Sequence, residues 1–315
     1  MECRQCGGTQ MTKFPKSNFI KKIKLPSKNI KVPETKKSFA LIMPAVIWMG
    51  LFFVIPLFLV VAVSFLTRGE YGNIEYKFNL NNYARIFNPL YLKIFWDSLV
   101  SAFLTTLLCL VFGYPFAYII GKSSKNMKPV LLMLIILPFW TNSLVRTYAW
   151  IILLRTEGII NSYLMALGLI YSPLHLLYNE AAVMLGMFYI MFPFMVLPIY
   201  AQVEKLDKNL IEAASDLYAS PAKTFLKVIL PLTKPGVMAG CFLVFVPTLG
   251  LFFIPDLMGG SKVIFISNLI RNQFLTARDW PFGMAISVLL IIIMLVMVKL
   301  YMHKNGKIEA DGGLL

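Results

Sequence analysis

The chain has 315 residues, a formal net charge of +15 and an apolar fraction of 58%, with a mean hydropathy of +0.71. Soluble domains are about 45–50% apolar, so this composition excludes a soluble globular protein and predicts an all-α membrane protein with several spans. The four cysteines do not form a disulfide framework, because two of them lie inside apolar segments and two in the amino-terminal tail.

Residues 1–38 are polar and rich in Lys and Pro, and we predict a basic cytoplasmic tail without a fixed structure. Cys3 and Cys6 could supply half of a zinc site, but no nearby His or Cys completes it, so we expect no metal here. The first apolar run begins near residue 39 and is too long for a cleavable signal peptide.

Six hydrophobic segments follow, each close to the ~20 residues that a helix needs to cross a bilayer. The predicted spans are 39–66, 98–121, 130–152, 181–203, 236–255 and 281–300. Pro138 interrupts the third and Arg146 lies beyond its middle, so we expect that helix to bend or end near Trp140. The sequence therefore predicts a transmembrane domain over 39–303 and a cytoplasmic tail over 304–315.

The Lys and Arg residues predict the orientation, because cytoplasmic loops carry an excess of them. Most of the 30 basic residues lie in residues 1–38, 122–129, 204–235 and 299–315. Both termini are therefore predicted to be cytoplasmic, and the positive charge indicates membrane topology instead of nucleic-acid binding. The loops predicted to lie outside are 67–97, 155–180 and 256–280, and we expect polar residues there, such as Asn161, to be accessible.

Charged residues and histidines are rare in the predicted spans. Away from the ends of the spans, Arg146 is the only Asp, Glu, Lys, Arg or His. Secondary transporters usually carry coupling ions on such residues, so an autonomous secondary transporter or channel is disfavoured. A membrane enzyme is also disfavoured, because neither His175 nor His303 has partner residues for nucleophile or metal chemistry. No Walker-A loop occurs, so the energy for transport is expected from another subunit.

The polar, basic stretch 204–235 separates the fourth and fifth spans and predicts a helix–turn–helix. Asp207 can cap a first helix, and Ser220-Pro221 can begin a second one. Pro231 and Pro235 are expected to break the second helix before the next span begins. The first helix has one apolar face, formed by Leu206, Leu210, Ala214 and Leu217.

This stretch resembles the EAA loop of ABC-importer permeases, with the pattern Glu-Ala-Ala, three residues, Gly, nine residues, Ile-x-Leu-Pro. The matching residues are Glu212, Ala213, Ala214, Leu230 and Pro231, with Val228 in place of Ile. Tyr218 occupies the position where the family has Gly. One interpretation places Tyr218 in a left-handed turn, whose strain contacts of its ring would offset. In the other, which we favour, the helix continues past Tyr218 and turns without strain at Ala219-Ser220.

Further stretches resemble the spermidine/putrescine permeases, and they match the PotB-type subunit better than its PotC-type partner. These stretches are 64–68, 88–91, 112–117, 137–146, 204–207, 256–260 and 278–283. The resemblance covers about residues 40–300 and implies the type I ABC-importer permease fold, with a core at about 94–302. An ABC importer for another small solute, such as a metal–chelate, an anion or thiamine, is the alternative.

The resemblance also implies partners and a location. It implies a non-catalytic subunit of the bacterial cytoplasmic membrane that pairs with a PotC-type permease and an extracytoplasmic polyamine-binding protein. Two PotA-type ATPase subunits would bind ATP and Mg, so we expect no cofactor in this chain. The Glu212 loop would then act as a coupling helix that docks in a groove of the ATPase.

A flexible polycation requires a wet path whose aromatic walls attract ammonium groups, at about 0.5–2 kcal/mol for each cation–π contact. Candidate path residues are Trp140, Tyr148, Tyr114 and Phe252. Carboxylates at outer ends of spans can concentrate cations, and the candidates are Asp97, Glu180, Asp256 and Asp279. Asp256 ranks first because it follows Pro255, where a span breaks. The aromatic residues could instead form an interfacial belt, and Asp256 and Asp279 could pair with Arg271 or Arg278 or contact the binding protein.

Overall fold

The computed structural model describes residues 35–70 and 72–312. The chain divides into two compact units, Met1–Ile55 and Pro56–Leu315. In the first unit, helix α1 (Thr35–Met49) is followed by a π-helical segment, Gly50–Val54. Most of the predicted tail at 1–38 lies outside the described residues, and α1 begins within its last four residues.

The second unit is mostly helical. Helix α2 (Ile55–Ser64) begins at the boundary residue, and strands β1 (Thr67–Arg68) and β2 (Ile74–Glu75) form a short antiparallel ladder after it. The helices that follow are α3 (Asn81–Ile86), α4 (Pro89–Lys122), α5 (Met127–Ile136), α6 (Ser143–Leu154), α7 (Ile159–Ala166), α8 (Glu180–Glu204), α9 (Lys208–Asp216), α10 (Pro221–Thr224), α11 (Leu230–Gly250), α12 (Phe253–Met258), α13 (Ile266–Leu275) and α14 (Trp280–Gly312).

Within the described residues, five helical segments are long and apolar enough to cross a membrane, and a bent pair of helices, counted as one span, makes six. The five are Ile42–Ser64, Pro89–Lys122, Glu180–Glu204, Pro221–Gly250 and Trp280–Lys299. The bent pair, Met127–Trp140 and Ser143–Ala166, changes direction by 93°. The prediction of six spans, with a bend in the third, is therefore confirmed.

The bend in the third span follows from the residues around Pro138. A 3₁₀ turn, Leu137–Trp140, ends the first arm, and Asn142 caps the second arm by accepting the N–H of Leu144 at 2.9 Å. Proline removes a helical hydrogen bond, and an Asn cap satisfies a free N–H of a new helix, so both residues favour a change of direction here.

The predicted break at Pro231 and Pro235 is wrong. The chain stays helical over Pro221–Gly250, and a π-helical segment, Phe225–Ile229, precedes Pro231. A proline ring normally clashes with the carbonyl four residues earlier, here that of Lys227, and the wider π turn around that carbonyl accommodates the ring. Helix α14 is also longer than expected and continues through most of the predicted tail to Gly312.

The core of the second unit lies where α4, α8 and α11 pack against one another. Glycines on α11 let its backbone approach α8 closely. A methyl group at Gly240 would lie 2.8 Å from the sulfur of Met195, and one at Gly236 would lie 2.7 Å from the carbonyl oxygen of Pro198. Small residues at such crossings are typical of helix packing in membranes. The core holds together the two helices, α8 and α11, that carry the 204–235 loop between them.

Candidate functional site

The 204–235 loop forms the helix–turn–helix that its sequence predicts. The Asp207 carboxylate accepts the N–H of Asn209 at 3.0 Å and caps α9. The Ser220 hydroxyl accepts the N–H of Lys223 at 3.4 Å, and Pro221 is the first residue of α10. Helix α9 packs against α10 and the following π-helical segment, so the loop is a folded unit.

The turn between the two helices lies at Tyr218, which has a φ of +55°. The Tyr218 N–H donates to the Ser215 carbonyl at 2.9 Å, and the Ala219 N–H donates to the Ala214 carbonyl at 3.1 Å. This pair of bonds is the Schellman motif, in which the left-handed residue is usually glycine. The favoured interpretation, a strain-free turn at Ala219-Ser220, is therefore wrong. The two hydrogen bonds satisfy carbonyls at the end of α9 and help hold Tyr218 in a conformation that costs about 1–2 kcal/mol.

The exposed surface of the loop is apolar around this turn. The side chain of Tyr218 is 99% exposed, and Leu217 and Leu210 are exposed as well. Of the predicted apolar face, Ala214 is buried. Glu212 and Ala213 are exposed, and Glu212 has no ion-pair or hydrogen-bond partner among the described residues. A folded loop that presents a strained, exposed tyrosine beside exposed leucines has the character of a protein interface.

The loop connects directly to the core through the π-helical segment. The ring of Phe225 meets the edge of Tyr114 at 5.4 Å between centroids, and the Tyr114 hydroxyl lies 2.9 Å from the hydroxyl of Thr233. Leu230 and Pro231, the last residues of the loop motif, begin α11. Tyr114, on α4, is thus buried against the base of the loop, where its ring has no open face for a passing cation.

Two other candidates for the substrate path are exposed near the bend of the third span. The Trp140 side chain, at the end of the first arm, is 77% exposed, and Tyr148 on α6 is also exposed. The Arg146 guanidinium lies 5.3 Å from the centroid of Phe139 and 5.8 Å from that of Tyr189. The intramembrane arginine therefore packs against protein aromatics, as expected for a charge in a span.

The two acidic candidates beyond α11 are both paired with arginines. The Asp256 carboxylate lies 3.0 Å from the Arg271 guanidinium, and Arg271 is one of the two arginines expected as a possible partner. The guanidinium of Arg271 also lies 5.9 Å from the ring centroid of Phe252, so one cation contacts both a carboxylate and an aromatic ring.

Asp279 pairs with Arg85 at 2.8 Å, and not with Arg271 or Arg278. Its carboxylate is 3% exposed and also accepts the N–H of Phe282, while the Arg85 guanidinium lies 4.0 Å over the Phe282 ring. Burial alone would lower the pKa of Arg85, but the hydrogen bond and charge of Asp279 raise it overall. Asp279 is therefore a structural residue that ties α3 to the start of α14.

A polar cavity of about 710 Å³ lies among loops predicted to be outside, and it could not be predicted from local patterns because three separate segments form it. Its lining includes His175 and three charged residues, Arg155, Glu157 and Lys262. Asn161 holds two of these segments together, since its amide donates to the carbonyls of Thr156 and Leu174 at 3.1 and 2.9 Å and accepts the N–H of Leu174 at 3.0 Å. Asn161 is fully buried, so the expectation that it is accessible is wrong.

Residues 113–303 match the family model described as binding-protein-dependent transport system inner membrane component. The chain belongs to this family. It is a multi-pass protein of the bacterial inner membrane, in agreement with its apolar helices.

Two relatives show which kind of transport permease the chain is similar to. The permease is 46% identical to the spermidine/putrescine transport system permease protein PotB of Escherichia coli (strain K12), over 84% of this chain and 98% of that protein. It is 48% identical to the protein of the same name from Salmonella typhimurium (strain LT2), over 81% of this chain and 88% of the relative. The resemblance to PotB-type permeases is thereby confirmed.

A solved structure supports the architecture of the permease. A chain in the crystal structure of a bacterial ABC transporter for the acidic polysaccharide alginate superposes with a TM-score of 0.70 at 16% identity, covering 88% of this chain and 98% of that one. At this identity the likeness shows the fold alone, and that fold is the one of ABC-importer permeases.

Proposed function

We propose that the protein is the membrane-spanning permease subunit of an ATP-driven importer for polyamines of the spermidine and putrescine type. The observation that carries the proposal is the 46% identity over nearly the whole length of a relative named for spermidine and putrescine transport. The spans are almost free of the ionisable residues on which secondary transporters carry coupling ions. This composition supports transport that is driven by another subunit.

The chemistry of the path supports a cationic substrate. Trp140 and Tyr148 present exposed rings near the bend of the third span. Beyond α11, Phe252 and the carboxylate of Asp256 both lie near the Arg271 guanidinium. Aromatic faces attract ammonium groups without the strong retention of a buried ion pair, which suits a substrate that must leave again. Tyr114 is not part of this proposed path because it is buried beneath the loop.

The 204–235 loop is proposed to contact a partner subunit and to move when that subunit binds and hydrolyses ATP. The chain is then non-catalytic, and ATP and Mg are bound by two PotA-type ATPase subunits. The exposed Glu212, Leu217 and Tyr218 are the proposed contacts with a groove of the ATPase. A PotC-type permease is the proposed second half of the translocation path.

The outer surface is proposed to bind an extracytoplasmic binding protein. The 710 Å³ cavity carries two basic residues, Arg155 and Lys262, against one acid, Glu157. This excess of positive charge repels a polycation, so the cavity suits an acidic side chain of a partner better than the transported substrate. A solved relative of the same fold is described in complex with a periplasmic protein, which supports a partner of this kind.

Reconstitution tests the proposal. Proteoliposomes that contain both permeases and the ATPase, with the binding protein outside, are expected to take up labelled spermidine when ATP is inside. Unlabelled putrescine should compete, and vesicles that contain this chain alone should show no uptake. Uptake of another solute in place of polyamines would support the alternative importer, and ATP-independent uptake by this chain alone would contradict the proposed class.

A further inference from the structure

The carboxylate of Asp256, on α12, and the ring of Phe252, just after α11, both lie near the same cationic group. In this structure that group is a side chain of the protein, because the Arg271 guanidinium pairs with Asp256 at 3.0 Å and lies 5.9 Å from the Phe252 centroid. A carboxylate beside an aromatic face is also the combination that recognises an alkylammonium group.

The surrounding backbone makes this place favourable for positive charge. Helix α11 ends at Gly250, and its carbonyl end carries the negative pole of the helix dipole. The next two carbonyls are held in place from α13, since Ser267 donates to the Leu251 carbonyl at 2.9 Å and Asn268 donates to the Phe252 carbonyl at 2.8 Å. The site is therefore preformed by the break between α11 and α12.

An unused acceptor lies on the same helix as Arg271. Asn268 is 3% exposed, and its Oδ1 has no hydrogen-bond partner among the described residues, although its amide nitrogen is bonded. A buried acceptor without a donor costs free energy. An ammonium group has three donors directed around one nitrogen, whereas a guanidinium presents its donors in one plane. An ammonium group can therefore donate in directions outside the plane to which a guanidinium is confined, and the unsatisfied Asn268 Oδ1 lies three residues before Arg271 on α13.

We propose that Arg271 is a tethered competitor of the substrate, which fills the Asp256–Phe252 site in the resting permease and is displaced by an ammonium group of the polyamine. The proposal rests on the proposed function and adds a residue that sets apparent affinity. Arg271 and Asp256 are both partly exposed, so exchange of one cation for another needs no unfolding. When the substrate moves on, the return of Arg271 to the site lowers the chance that the ammonium group binds there again.

The test compares spermidine uptake by the reconstituted importer with wild-type chain and with Arg271→Gln. Without the competitor, KM for spermidine is expected to fall about two- to fivefold, the range expected for loss of one exposed ion pair. Arg271→Lys keeps the positive charge and should stay near the wild-type KM. In Asp256→Asn the site has lost its carboxylate, so adding Arg271→Gln to that variant should change KM little. Arg278→Gln removes a positive charge from the same outer loop, where Arg278 is exposed, and is the matched control.

Arg271→Cys gives an independent measurement, and it carries the test if the glutamine variant does not assemble. A cationic thiol reagent should raise KM again, a neutral reagent of similar size should not, and spermidine should slow the modification. Wild-type importer treated in the same way controls for the native cysteines. A KM in Arg271→Gln that is unchanged or higher, with normal assembly, would overturn the proposal. Absence of polyamine uptake by the wild-type importer would instead contradict the proposed function.

Discussion

Replacing Tyr218 with Gly distinguishes the effect of the strained backbone at residue 218 from the effect of the tyrosine ring. The left-handed conformation at Tyr218 costs about 1–2 kcal/mol for a residue with a side chain. Glycine removes this cost but loses about 0.5–1 kcal/mol more in conformational entropy on folding. The substitution should therefore leave the stability of the loop unchanged or raise it by roughly 1 kcal/mol.

Association with the ATPase is expected to change in the opposite direction. The Tyr218 ring is 99% exposed, so its side chain makes no contact among the described residues that offsets the strain. Beyond the two backbone hydrogen bonds of the turn, the proposed partner surface is the remaining source of compensation. An aromatic side chain central to an interface contributes at least about 1 kcal/mol, and its loss weakens association roughly fivefold or more. A more stable loop that binds more weakly is a result that loss of folding cannot produce.

The assay is copurification of the ATPase subunit with the tagged permease, followed by transport-linked ATP hydrolysis in proteoliposomes. Tyr218→Ala, which keeps the left-handed strain but loses the ring, should lose association as Tyr218→Gly does, whereas Tyr218→Phe should keep most of it. Tyr171→Ala is the control, because Tyr171 is equally exposed but lies in a loop predicted to be outside. Wild-type or tighter association of Tyr218→Gly would refute the role of the ring.

The remaining predictions concern orientation, coupling, substrate and stability. Single cysteines should be labelled from outside at Tyr171 but not at Asn209 before permeabilisation, and the reverse pattern would contradict the orientation. Glu212→Ala should reduce copurification of the ATPase while the second permease still assembles, and unchanged hydrolysis would count against coupling through this loop. Asp256→Asn should raise KM for spermidine severalfold with normal assembly, and an unchanged KM would remove Asp256 from the path. Asp279→Asn should destabilise the permease by about 1–2 kcal/mol, because it removes the charged partner of a half-exposed arginine, and thermal unfolding of the purified complex measures this.

Much of the architecture could be predicted from local patterns. Hydropathy located the spans because a lipid-facing or core-facing helix in a membrane must be apolar along about 20 residues. The bend of the third span was also predictable, since a proline and an arginine in one span disfavour a straight helix there. The caps at Asp207 and Ser220 follow from residue type and position alone.

The errors arose where a local rule competed with hydrogen bonding that the rule does not include. A turn at Tyr218 contradicts the preference of tyrosine, but the Schellman bonds to Ser215 and Ala214 fix it there. Pro231 should end a helix, but the π-helical segment before it accommodates the ring. The family pattern was the better guide at Tyr218, because a glycine position in a family marks the backbone conformation even where this chain has another residue.

Ion pairing between distant segments was not predictable. Arg85 and Asp279 are 194 positions apart, and nothing in the sequence favours this pair over Asp279 with Arg271 or Arg278. The cavity at Arg155 could not be predicted either, because it also depends on contacts between separate segments. These contacts are made by the fully buried Asn161, and asparagine is a residue type that is mostly exposed.

One continuous helical segment connects the loop to the membrane core, so a movement of the loop is expected to reach the core through it. The second arm of the loop, the π-helical segment and α11 form an unbroken helical segment, Pro221–Gly250, so a displacement at the loop also displaces the span. Phe225 contacts Tyr114 and Tyr118 on α4, with centroids 5.4 and 6.5 Å away, at the base of the loop. A push on the loop therefore acts on α4 and α11 at one point, and close-packed helices transmit such a push as a movement of rigid bodies. The far end of the same helix is Gly250, beside Phe252 and the site that Arg271 occupies. One helix thus connects the proposed ATPase contact to the proposed cation site, so movement of α11 can change the occupancy of that site without a separate relay.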